Sequence, residues 1–179
     1  MEVDKVIKSK IERDYFFVTG QFNNLDTGYF INRIEEGIEA KDNLNFQTNV
    51  VGKHTSFKYF TMDEEFLRLI CQFIDFVDIN NITRSGYCIQ DAWGVKEEFG
   101  MFSKLHNHVP CYMSGVLYLN EHENKLYFPD INEEITPKAG KFGLFSSFLN
   151  HRTKRNLGKV RYCIAFNFRY RAIKEEHKK

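Results

Sequence analysis

Leu105-His106-Asn107-His108, then Ser114-Gly115-Val116-Leu117-Tyr118-Leu119, then Leu144-Phe145 and His151, and finally Val160-Arg161-Tyr162-Cys163-Ile164-Ala165-Phe166-Asn167-Phe168, form the stretch that decides the fold. Successive side chains on a strand alternate across the pleat, so apolar residues recurring at every second position mark a half-buried β-strand. On that reading His106 and His108, at i and i+2 of one strand, share a face and can grip one ion. A third imidazole, His151, arrives from a distant segment, as a rigid yet open metal site requires. By the same parity Arg161, Cys163, Ala165 and Asn167 share a face. A guanidinium turned inward in such a strand wants a carboxylate, which it can hold bidentately. A metal beside an inward arginine points to a small acidic cosubstrate.

Working outward, period-two patterning predicts strands at Gly86 to Val95, Ser103 to His108, Met113 to Asn120, Lys125 to Phe128, Phe142 to Phe145 and Val160 to Tyr170. Upstream, Phe30, Ile31, Ile34 and Ile38 recur at helical spacing over residues 26 to 39, with Asp26 placed as N-cap. Thr61-Met62-Asp63-Glu64 reads as a capping box with Thr61 as the cap. The helix it opens carries a wide apolar stripe of Phe66, Leu67, Ile70, Phe73, Ile74 and Val77, suited to packing on the outside of a sheet. Tyr15-Phe16-Phe17-Val18 and the looser alternation from Val3 to Ile11 suggest a peripheral strand or hairpin. The polar segment from Lys41 to Ser56 is a connection with one short strand near Asn49-Val50-Val51. Short strands following helices predict a mainly β fold with flanking helices, an antiparallel sandwich or jelly roll. The expected domain is single, spanning 1–179, with a helical flank over about 1–80 and a jelly-roll core over about 84–172.

Composition agrees with one globular domain: 179 residues, 42% of them hydrophobic, give enough material for a sizeable core. Eighteen phenylalanines and nine tyrosines point to a core built of large rings on β surfaces. The formal charge of +1 favours neither nucleic acid nor an anionic membrane. Arg152, Lys154, Arg155 and Lys159 cluster after His151, which reads as a solvated rim or an aid to an anionic substrate. The absence of a long apolar run leads us to expect a soluble, cytoplasmic protein with no membrane partner. Cys71, Cys88, Cys111 and Cys163 fall at no metal-binding spacing and sit in apolar context, so buried free thiols are expected. His54, His122 and His177 lack the company of the other three and are assigned to the surface.

These motifs resemble the Fe(II)- and 2-oxoglutarate-dependent oxygenases, and within them the prolyl-4-hydroxylase-like branch with its small bacterial and phage-type members. The parallels run from Trp93 to Phe168: the tryptophan and Gly100 before His-x-His, Ser-Gly-Val-x-Tyr-Leu after it, Pro137-x-x-Gly140, Leu-Phe-x-Ser, His151, and Arg161 ten residues later. The resemblance implies a double-stranded β-helix and a hydroxylase that uses molecular oxygen. It implies Fe(II) held by His106, His108 and His151, with 2-oxoglutarate anchored at its far carboxylate by Arg161 and touched by Tyr118. Asn167 and Cys163 are candidate pocket-lining residues. Two positions depart from the family pattern. His108 stands where most relatives place an Asp or Glu ligand, which leaves a bound ferrous ion its full double charge. Cys163 replaces a hydroxyl residue near the arginine.

Three alternatives stand beside this reading. Arg161 is an ordinary arginine neutralised by a buried acid; the three histidines serve a metal dioxygenase or cupin that uses no keto acid; or the domain is a non-enzymatic jelly roll that binds or builds. The prime substrate is not legible in the sequence. Loop segments carry pocket specificity, and residues 94–99 together with the basic segment after His151 are the expected contributors.

Overall fold

The computed structural model describes residues 13–43, 48–80 and 86–170. Its main layer is a six-stranded antiparallel sheet in the order β1 (Phe17–Gln21), β9 (Lys141–Ser146), β6 (Met113–Tyr118), β11 (Arg161–Tyr170), β4 (Tyr87–Glu97) and β3 (Lys53–His54). Facing it are β10 (Arg152–Thr153), β7 (Leu126–Phe128) and β8 (Glu133–Ile135), and a short pair formed by β2 (Val50–Val51) and β5 (Phe102–Ser103). The Ser103 amide donates to Thr153 Oγ1 at 2.8 Å, joining the two small sheets into one opposing layer. The result is a jelly roll, as the alternating pattern predicts.

Two helices cover the outer face of the main sheet. α1 (Thr27–Glu39) is capped by Asp26, whose side chain accepts from the Tyr29 amide. α2 (Glu64–Ile79) starts two residues later than the capping box put it: the cap is Asp63, which accepts from the Phe66 amide at 3.0 Å. Asp63 prevails over Thr61 because its carboxylate also accepts from the Tyr29 hydroxyl at 2.8 Å and sits 3.5 Å from Arg33, tying both helices together. The Thr61 hydroxyl donates to the Lys58 carbonyl instead.

Strand parity divides the core into two. On the helix side, Phe66, Phe73 and Val77 of α2 pack against Phe166, Ile164 and Leu117 of the sheet. Gly115 makes this possible, since a Cβ there would lie 2.3 Å from the Phe166 ring. Between the layers lies the second cluster: Trp93, Val95, Val116, Tyr118, Leu126, Phe128, Phe145 and Cys163. The metal-binding candidates project into this inner space.

Several expectations need correction. β4 continues two residues past Val95, β8 and β10 are additional short strands, and the 41–56 connection holds two short strands, not one. Only Cys163 is buried among the four free cysteines; Cys71 lies on the solvent side of α2, because its helical position falls opposite the Phe73 stripe. The segment Val3 to Ile11 lies outside the described residues. No helix among the described residues is long and apolar enough to cross a membrane.

Candidate metal centre and its adjoining cavities

His106, His108 and His151 converge. One ligand atom from each lies within 4.8 Å of the others, and their ring centroids are 4.4 to 5.1 Å apart. The device that brings them together differs from the strand expected. β5 stops at Ser103, and His106 instead forms an isolated antiparallel bridge with His151, each amide donating to the other's carbonyl at 3.1 and 2.8 Å. His108 lies beyond it in irregular chain, fixed by its amide's bond to the Ser147 carbonyl. The chain leaves the strand because Lys104 and His106 are needed to meet Asn49 and His151, not a continuous neighbour.

The imidazoles are oriented as well as gathered. His106 Nδ1 donates to the Lys104 carbonyl at 2.7 Å and His151 Nδ1 to the Leu149 carbonyl at 2.9 Å, which leaves both Nε2 lone pairs free to bind. His108 Nε2 and His151 Nε2 are 3.2 Å apart. Two nitrogens about 2.1 Å from one ion, at an angle of about 100°, stand about 3.2 Å apart. His108 and His151 thus stand at the separation two ligands of one divalent ion need, with His106 within 4.8 Å to complete the set. Phe128 and Phe145 pack against His151, and burial holds all three rings neutral. Desolvation pushes His108 down to about 3 and His151 well below the usual imidazole range, with His106 lowered for the same reason. Neutral imidazole is the form that ligates.

Two cavities meet at this cluster, and His106 and His108 line both. The inner one runs between the sheets past Tyr118 and Cys163 to Arg161, with about 50 Å³ of open space. Cys163 is held up to about 12 by burial, so its thiol stays protonated. The outer one is a cleft of about 350 Å³ bounded by Asn49, Phe57, Asp91, Trp93, Asn107 and Asn167. Asn167, Cys163 and Arg161 share a face as parity requires. Asn167 also accepts from Ser114 Oγ at 2.7 Å, so it lines the cleft with its oxygen already engaged.

Arg161 is not free. Its Nη2 lies 2.6 Å from Glu97 Oε2, both side chains being almost wholly buried, and its Nη1 donates to the Asn124 carbonyl at 2.9 Å. Burial works against the cation, but Glu97 beside it holds its pKa above the usual value. The buried-acid alternative is thus what the structure contains. Glu97 and Arg161 are direct cross-strand partners on β4 and β11. The alternation Trp93-x-Val95-x-Glu97 carried that information, hidden when residues 94–99 were read as a loop. The Arg161 guanidinium also stands over the Tyr118 ring, 5.8 Å from its centroid.

Polar residues behind the ion pair were also missed. Asn156, fully buried, donates to the carbonyls of Glu97 and Lys159 at 2.9 and 2.8 Å. His122, expected on the surface, is buried: Nδ1 accepts from the Asn124 amide and Nε2 donates to the Lys159 carbonyl, each at 2.8 Å. It thereby fixes the segment whose carbonyl meets Arg161. His54 is buried too, with Nδ1 2.8 Å from the Thr55 carbonyl. For His122 the distant Lys159 carbonyl satisfies a ring nitrogen, a contact that local sequence does not carry. His177 lies outside the described residues. The basic residues Arg152 and Lys154, with Lys125, Glu123 and Glu134, border a separate groove of about 610 Å³ that shares no lining residue with the histidine cavities.

No protein-family model and no curated protein matches the sequence. Solved structures do share its fold. A viral collagen prolyl hydroxylase from Paramecium bursaria Chlorella virus-1, in complex with 2-oxoglutarate, superposes with a TM-score of 0.68 at 15% identity, over 87% of this chain and 96% of that one. A Pseudomonas putida prolyl-4-hydroxylase gives 0.63 at 14% identity, over 87% and 93%. HygX from Streptomyces hygroscopicus, solved with nickel and 2-oxoglutarate bound, gives 0.63 at 12% identity, over 89% and 83%. The fold is the double-stranded β-helix of the 2-oxoglutarate–Fe(II) oxygenases, prolyl hydroxylases included.

Proposed function

We propose that this chain, acting as one domain over 1–179, is an Fe(II)- and 2-oxoglutarate-dependent oxygenase that hydroxylates a substrate entering by the outer cleft. One observation carries the reading: three oriented, neutral imidazoles meet where an inner and an outer cavity share a wall, on a fold that such oxygenases use. His106, His108 and His151 would hold the metal. A ferrous ion held there beside a 2-oxo acid would supply the oxygen activation that hydroxylation needs.

The remaining tasks fall to the protein. Three neutral ligands leave a divalent ion its whole charge for the chelating carboxylate and keto group. Arg161 and Tyr118 would meet the far end of the acid, and the orphaned Arg161 Nε, buried with no hydrogen-bond partner, is the donor available for it. A keto acid is larger than the present inner cavity, so its binding moves lining side chains apart. Phe128, Phe145 and Leu126 exclude water from that side. In the outer cleft Trp93 and Phe57 offer apolar faces, while Asn49, Asn107, Asn167 and Asp91 offer polar ones, which suits a neutral or cationic polar substrate. Four free thiols agree with a reducing, cytoplasmic setting.

Iron-loaded protein incubated with 2-oxoglutarate and oxygen should release succinate even without its prime substrate. Absence of both binding and turnover sinks the proposal. The Glu97–Arg161 pair favours a second reading, a three-histidine dioxygenase without a keto acid; oxygen uptake on iron loading that needs no keto acid would establish it.

A further inference from the structure

The far end of the inner cavity presents one buried donor that nothing satisfies, beside a carboxylate oxygen engaged by its ion pair. Arg161 Nε is a donor without an acceptor. Glu97 Oε2 lies 2.6 Å from Arg161 Nη2, a charged contact that leaves the oxygen room for one more donor. Elsewhere in the pair, Glu97 Oε1 accepts from Ser103 Oγ at 3.1 Å, and Arg161 Nη1 donates to the Asn124 carbonyl. Buried polar groups are nearly always paired, so an orphan donor next to a carboxylate oxygen with a lone pair to spare, both on cavity-lining residues, describes a missing partner. That partner must accept from Nε and donate to Oε2.

A carboxylate tail does only half of this. It accepts from Nε, but it brings a second anion against Glu97, and like charges in a dry site repel strongly. A primary carboxamide does both, its oxygen accepting and its NH2 donating. The ion pair also adds no net charge at this end, so nothing there demands an anion.

We propose that the Glu97–Arg161 pair makes this end of the cavity a reader of uncharged tails that both accept and donate, so that the cosubstrate class extends to 2-oxo acids ending in a carboxamide. This rests on the reading that the inner cavity takes a 2-oxo acid. Glu97 is then the specificity-determining residue, and a polar group of the opposite demand at 97 inverts the preference.

The test uses binding, not turnover. The single tryptophan, Trp93, has its ring 6.0 Å from that of His108 and lines both cavities, so its fluorescence reports on ligands at the metal. Nickel-loaded full-length protein is titrated with N-oxalylglycine, an inert dicarboxylate, and with its isosteric terminal amide, N-oxalylglycinamide. The wild type should bind the amide at least as tightly as the dicarboxylate. Glu97→Gln should shift the ratio about tenfold or more toward the dicarboxylate, as expected when a charge-assisted contact and a repulsion are both removed. A wild type that binds the dicarboxylate more than tenfold tighter than the amide overturns this proposal and leaves the oxygenase reading standing. Failure of both compounds to bind the metal-loaded protein overturns the two together. Should Glu97→Gln not fold, the wild-type ratio alone decides.

Discussion

Replacing Arg161 by methionine removes the cation from a buried pair while keeping an apolar stem of similar reach. Glu97 is then left as a carboxylate with no exposed surface, holding only the bond from Ser103. Breaking one side of a buried ion pair costs about 3–5 kcal/mol, most of it the desolvation of the stranded charge. At about 2–4 °C per kcal/mol for a chain of this size, the melting temperature of metal-free protein should fall by roughly 6–20 °C. Replacing both partners, Arg161→Met with Glu97→Leu, removes the stranded charge as well. That double variant should recover most of the loss, since a buried pair is often worth little against apolar residues of similar volume. Thermal or urea unfolding of wild type, both single variants and the double variant gives the coupling directly, expected at about 2 kcal/mol or more. Additive single effects, or a cost below about 1 kcal/mol for Arg161→Met, would refute the view that these two side chains form one electrostatic unit.

His122→Ala should destabilise the protein by about 1–3 kcal/mol in urea unfolding, because it strands the Asn124 amide and removes one of two donors to the Lys159 carbonyl, while metal affinity stays unchanged. An equally large loss of metal binding would contradict its structural assignment. Gly115→Ala should cost about 1–3 kcal/mol through collision with the Phe166 ring, read as a lowered melting temperature; a neutral effect would mean that the Phe166 ring packs over β6 more loosely than it looks. Stability of the metal-free protein should depend on pH through His108 and His151. Their folded pKa values lie below the unfolded value, His108 at about 3, so the unfolded chain takes up protons first as pH falls. Their contribution is complete above about pH 7, and at pH 5 on the order of 2 kcal/mol is lost for His108, with His151 acting in the same direction and the decline continuing toward pH 3. Urea midpoints at pH 7.5 and 5.0 that coincide, or a difference untouched in His108→Gln, would show that these rings are not buried neutral.

Much of this was legible because period-two patterning survives in the strands that matter. From β11 alone, the shared face of Arg161, Cys163, Ala165 and Asn167 follows, and the structure keeps it. What the sequence concealed were relations set at long range. Glu97 could be found only by letting β4 run two residues further than its apolar pattern. His108 points at His151 through a bridge and a bend, although strand parity led to the same pairing for a different reason. His122 sits in polar surroundings along the chain, and its burial depends on the Lys159 carbonyl brought there by the fold.

Anaerobic titration of the protein with Fe(II), followed through Trp93 fluorescence in the wild type and in His151→Ala, tests the central claim most directly. The account predicts one equivalent of iron bound by the wild type, an affinity lower by about a hundredfold or more in the variant, and a further spectral change when 2-oxoglutarate is added to the wild type alone. Equal iron binding by both proteins, or none by either, would contradict it.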